Sequence, residues 1–137
     1  MQKVILDTNI VVSALIQKSY PHYVVDYVLD GKISLCLSEA LLSEYCDVLF
    51  RPKFANIAGF KRNAEIVLNR FEKIASFYEP EITLDIIKDR SDNKLLELAD
   101  ESNADFLITG NSVDFTFTHY KNTQILSPRS FWELLIE

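Results

Sequence analysis

The chain has 137 residues, 48% of them hydrophobic and 25% charged, which suits one soluble globular domain with a core of its own and excludes a disordered or fibrous chain. Its net charge of −6 argues against a broad basic nucleic-acid footprint. A local site stays open, because bound cations can invert the sign of an acidic cleft.

In chain order, an apolar strand at 3–6 runs straight into Asp7, followed by Thr8-Asn9 and a segment of helical spacing at 9–17. A helix is expected at 21–30, with Pro21 at its first position and Gly31 as its stop. A strand at 33–37 precedes a helix at 38–50 that Ser38 can cap. The stretch 51–60 has no clear period and reads as a loop or short helix on the rim. A helix follows at 61–77, then a weaker run around 77–83 that Pro80 demotes to an edge or a loop. Ser91 or Asp92 can cap a helix at 92–103. Strands at 105–109 and 123–126 and a helix at 128–136 complete the chain. The strands are near-continuous apolar runs, as in Ile33-Ser34-Leu35-Cys36-Leu37, which marks strands covered on both faces. Their alternation with helices predicts an α/β fold with a parallel sheet and helices on both sides.

Cys36 and Cys46 form no C-x-x-C pattern, and both lie on apolar faces, which predicts reduced thiols and a cytoplasmic setting. His22 and His119 are isolated and read as surface or structural residues. No apolar run approaches the ~18 residues of a membrane span, and the first strand begins without a basic leader.

The acids carry the chemistry. Asp7 follows the first strand and Asp92 opens a helix, with Asp89 one turn earlier. Asn111 and Asp114 follow the strand at 105–109. If the strands are parallel, all of these reach the carboxyl edge of the sheet, where open α/β folds bind ligands. Glu44 lies on the flank of the apolar stripe formed by Leu41, Leu42, Tyr45, Cys46 and Leu49. Each acid also has a structural explanation: Asp7 and Asp92 as helix caps, Asp114 as a turn residue, Glu44 as a boundary side chain reaching for water. Their convergence is harder to explain in that way. At ~4 Å two carboxylates repel by ~4 kcal/mol at an effective dielectric of 20, and a hard cation such as Mg²⁺ or Mn²⁺ relieves this. Thr8, Asn9 and Thr109 read either as supports of such a site or as capping and turn groups. Arg51, Lys53, Lys61 and Arg62, interleaved with Phe54 and Phe60, read either as an RNA-contacting patch or as a solvated rim with two core anchors.

The ordered set of motifs resembles the PIN-domain family, and within it the VapC-like toxins of toxin–antitoxin pairs. The resemblance rests on Leu6-Asp7-Thr8-Asn9-Ile10, Ser38 to Tyr45, Asp89-Arg90-Ser91-Asp92-Asn93-Lys94-Leu95-Leu96-Glu97-Leu98-Ala99 and Ala104 to Asn111. It covers nearly the whole chain as one domain, 1–137. It implies a three-layer α/β/α sandwich around a short parallel sheet. It also implies Mg²⁺- or Mn²⁺-dependent cleavage of single-stranded RNA, a homodimer, and a small antitoxin partner. Asp7, Glu44 and Asp92 match three acids of the family's site. The fourth position is Asn111, where many relatives carry Asp, and Asp114 could supply the missing charge. Two other readings stand beside the toxin: a processing nuclease of RNA or DNA, and a degenerate module that binds nucleic acid or a protein without cutting. A receiver-type phosphoacceptor domain fits less well, because Asp7 is followed by Thr8-Asn9 and not by a second acid.

Overall fold

In the computed structural model, which describes residues 1–110 and 118–136, a mostly parallel sheet is flanked by helices. The described elements are β1 (Lys3–Leu6), α1 (Thr8–Ile16), α2 (Tyr20–Leu29), β2 (Ser34–Leu37), α3 (Glu39–Leu49) and a 3-10 turn at Pro52–Phe54. They continue with α4 (Phe60–Ile74), β3 (Ser76–Phe77), α5 (Arg90–Ser102), β4 (Phe106–Ile108), β5 (His119–Tyr120), β6 (Thr123–Leu126) and α6 (Pro128–Leu135). The strands lie in the order β3-β2-β1-β4-β6-β5, and β5 alone runs antiparallel, against β6.

This order dictates where a ligand can sit. From β1 the chain adds β2 and then β3 on one side, crosses back, and adds β4 and β6 on the other. Right-handed crossovers put helices on one face when a sheet grows one way and on the opposite face when it grows the other. The packing agrees with that rule. α1, α2, α3 and α4 pack on one another and α6 packs on α2, whereas α5 packs on the sheet at β1, β2 and β5. β1 and β4 are therefore the neighbours at which the direction of winding reverses, and a crevice opens outside their carboxyl ends.

The strands are covered from both sides, which is why their sequences do not alternate. Val4, Ile5, Leu6, Leu107 and Ile108 are inaccessible to solvent. Phe131 of α6 packs edge-on against Phe106 of β4, with ring centroids 5.1 Å apart, and lies 6.5 Å from the Tyr27 ring of α2. That one ring ties two helices to the sheet, and burying a side chain of this kind is worth about 1.5–3 kcal/mol.

Several boundaries differ from the expectation. α2 starts at Tyr20, so Pro21 sits at its second position, while Gly31 does adopt the left-handed conformation (φ +76°) that ends the helix. α4 stops at Ile74, and the weak run begins earlier than 77–83, as the two-residue edge strand β3. The cap of α5 is neither Ser91 nor Asp92. Asp89 holds that place, its Oδ1 accepting from Ser91 N–H at 2.9 Å. β5 was not expected at all. Cys36 and Cys46 are both free thiols, Cys36 buried and Cys46 half-buried, and burial pushes both pKa values up. Among the described residues, no helix is long and apolar enough to cross a membrane.

Candidate functional site

Asp7 stands at the reversal point between β1 and β4. Its backbone N–H bonds to Ile108 O at 3.0 Å, continuing the β1–β4 ladder by one step. Its Oδ2 accepts from the Thr109 hydroxyl at 2.7 Å, so the residues that follow the two strands grip each other. Asp7 also occupies the cap position of α1, yet its side chain makes no capping hydrogen bond. The carboxylate is aimed at the crevice instead. Burial raises its pKa and the charge of Glu44 adds to this. The Thr109 hydroxyl and the nearby Thr8 and Asn9 amides only partly offset the rise.

Glu44 arrives by way of α3. Ser38 caps that helix, its Oγ accepting from Leu41 N–H at 3.1 Å. Tyr45 fixes the helix to the first strand, since its ring is fully buried and its hydroxyl donates to Leu6 O. Glu44, one residue earlier, is thereby brought over α1, where it accepts a hydrogen bond from the Thr8 hydroxyl. It is half-buried and lines the crevice. The Tyr45 phenol registers this crowding. Its pKa is raised well above the ordinary range, first by burial and then by the charges of Asp7 and Glu44.

Asp92 is the third acid. It lies in the first turn of α5 and is 6% exposed. Helix N-termini carry partial positive charge, which favours a carboxylate there. Asp7, Glu44 and Asp92 thus come from three different elements to line one cleft of about 500 Å³, together with Thr8, Asn9 and Val12. Asp89 and Ser91 share the α5 wall, and Arg51 and Lys53 stand on the rim. Arg51 pairs with Asp47 at 3.0 Å across an exposed turn of helix. Asn111 and Asp114 lie outside the described residues.

Of the two readings of the stretch from Arg51 to Arg62, the aromatics follow the one with two core anchors. Phe54 and Phe60 stack on each other, with centroids 4.7 Å apart and planes inclined by 17°, and both are buried. Lys53 Nζ lies 5.1 Å above the Phe54 ring. The two rings spend their faces on each other and on Lys53, so they act as core anchors and are not a platform for bases. Lys61 and Arg62 line a neighbouring hollow and not the acid cleft.

The donors suit a hard divalent cation in kind. They are all oxygen, Asp7 is buried, and among the described residues no lysine or arginine pairs with Asp7 or Glu44. Among the described residues, no three His, Cys, Asp or Glu side chains form a closed ligand group. The cleft gathers the acids without drawing them into a shell.

The sheet order and the acids at its reversal point fit a PIN-like α/β fold, and comparison with known proteins agrees. The chain belongs to the PIN-domain family, whose sequence profile matches residues 3–112. An uncharacterized protein of Methanocaldococcus jannaschii is 30% identical over 109 residues, covering 79% of this chain and 70% of the relative. PIN domains are generally nucleases and typically use divalent metals.

The sequence pointed to Asp7, Glu44 and Asp92, and the structure places all three at one cleft. It did not single out Ser91 or Asp47 as cleft residues. Nor did it reveal the buried Asn93 and Glu97 behind Asp92, whose only trace is their spacing of one helical turn on α5.

Proposed function

We propose that the protein is a Mg²⁺- or Mn²⁺-dependent endoribonuclease acting on single-stranded RNA. The observation that supports this reading is the meeting of Asp7, Glu44 and Asp92, from three elements, in one cleft at the reversal point of the sheet. These three residues would hold the cation. When bound, it supplies charge neutralisation at a phosphodiester and an activated water. The chain's own residues do the rest. Thr109 and Thr8 orient the carboxylates of Asp7 and Glu44 by hydrogen bonds. Arg51 and Lys53 offer positive charge on the rim for the phosphates on either side of the cut. In the reaction, a water oxygen bonds to phosphorus and the bond to the 3′ oxygen breaks. The 3′ oxygen takes up a proton, leaving a 3′-hydroxyl and a 5′-phosphate. Asn111 and Asp114 are the candidates for a fourth donor.

The test is cleavage of end-labelled single-stranded RNA with Mn²⁺, comparing the wild type with Asp92→Asn. The wild type is expected to cut and the variant to lose at least two orders of magnitude in rate. Equal activity would trace the cleavage to a contaminant and sink this reading. Because the described acids do not form a closed ligand group, a non-cleaving module that binds RNA is the second reading. RNA binding without cleavage at any divalent concentration would favour it. As the toxin of a toxin–antitoxin pair, the protein would be a homodimer whose cleft is covered by a small antitoxin. Sedimentation of the chain alone and with the product of a neighbouring gene tests both features.

A further inference from the structure

Between β3 and α5 the chain runs through 78–89 without regular secondary structure, and its backbone polar groups need partners. Three of its amides find them on α5. Leu84 N–H donates to Glu97 Oε2 at 2.8 Å, and Ile86 and Ile87 N–H both donate to Asn93 Oδ1 at 2.9 Å. The other end of the same amide faces the same segment, because Asn93 Nδ2 donates to Ile87 O and, at 3.2 Å, to Asp89 O. Arg90 closes the arrangement, bonding Leu84 O at 3.0 Å and Glu97 Oε2 at 2.7 Å. Asn93 is 1% exposed and does not line the cleft.

We propose that Asn93 is a positioning residue for the acid cleft: it locks segment 84–89 and the cap residue Asp89 onto α5, and so fixes Asp92. The first turn of a helix is its least restrained part, because its N–H groups lack partners within the helix. Asp92 lies in that turn. Asp89 caps it from outside through Ser91 N–H, and Asp89 O is held in turn by both the backbone N–H and the side chain of Asn93. The acid next to Asn93 is therefore clamped from both ends. The inference rests on the nuclease reading only for what the fixed acid is used for.

The experiment compares wild type, Asn93→Ala and a control substitution at Phe131 on α6, Phe131→Leu, by amide hydrogen exchange without metal and by Mn²⁺ titration. Asn93→Ala is expected to speed exchange at Ile86, Ile87 and the start of α5, leaving β1 and β4 protected. It should also weaken Mn²⁺ binding on the order of 10–100-fold, the usual cost of losing a residue that orients ligands. RNA kcat should fall with KM little changed. The control should lower the melting temperature and leave Mn²⁺ affinity unchanged. Equal losses of affinity in both variants, or unchanged exchange at the start of α5, would overturn the proposal. Should Asn93→Ala not fold, Asn93→Asp keeps the acceptor for Ile86 and Ile87 N–H but loses the donor to Ile87 O and Asp89 O. Loosening confined to 86–89 and the start of α5 supports the latch, and full protection there overturns it. If the wild type binds no Mn²⁺ and cuts no RNA, the nuclease reading falls, while exchange alone still decides the latch.

Discussion

Asp7 shows how one residue can cost the empty protein stability and serve its site. Burial raises its pKa, so the folded state holds the proton more tightly than the unfolded chain. The contribution of Asp7 to the stability of the metal-free protein therefore falls as pH rises from the ordinary value of 3.8 through the raised one, and is level above it. At neutral pH the charged carboxylate is a net cost. Asp7→Asn should accordingly leave the metal-free melting temperature unchanged or raise it, while abolishing Mn²⁺ binding. Calorimetry with and without Mn²⁺ checks both halves, and a clear loss of metal-free stability would mean that Asp7 serves the fold first. Glu97 behaves in the opposite sense. Burial pushes its pKa up, but the Arg90 guanidinium and the Leu84 N–H together hold it below the ordinary value. Its contribution is present at neutral pH and lost as pH falls through the lowered value. On the rim, Arg51→Ala and Lys53→Ala should weaken RNA binding regardless of sequence. Each should lower the salt dependence of log K by roughly 0.7 for every phosphate it no longer neutralises, read from titrations at several salt concentrations. Asp7 was legible because it follows a buried strand at the sheet edge where ligands bind, and Glu44 and Asp92 because their motifs, in order, resemble those of the family. The Thr109–Asp7 bond was not, because it joins residues 102 positions apart.

Among the elements, α3 and α5 carry the site, and each is set by a different device. α3 is tied to β1 through the Tyr45 hydroxyl on Leu6 O, one residue before Asp7. Tyr45→Phe leaves that buried carbonyl short of a partner and is expected to cost about 1–3 kcal/mol, measurable by urea denaturation, with the cleft loosened at Glu44. α5 is set by its cap, and Asp89→Ala should cost about 1 kcal/mol, a drop in melting temperature of about 3–5 °C. Long amphipathic helices were readable to within a few residues because many positions share one period. β3 and β5, each of two residues, offer no period to read, and only their neighbours make them strands. The cap of α5 was misplaced for a related reason. Asp89-Arg90-Ser91-Asp92 offers three capping side chains in four positions, and the choice is made by Asn93 and by the amides of 84–87.

For the whole molecule, Phe131 joins α6 and α2 to β4, so Phe131→Ala should cost about 3–5 kcal/mol in denaturant unfolding. Against the 5–15 kcal/mol typical of a domain, that leaves little reserve. The α/β class and the parallel core were legible because both follow from strands without alternation. The order of the strands was not, since nothing local records that the winding reverses at β1. That reversal has a consequence in time. Asp7 is among the first residues synthesised, but the Ile108 carbonyl that anchors its backbone and the Thr109 hydroxyl that orients it are among the last third. A growing chain can pair β1 with β2 early, yet the Asp7 carboxylate has no Thr109 hydroxyl to hold it until β4 has emerged and inserted. A chain wired in this way fixes its first acid in place only near the end of its own synthesis, through strand order alone.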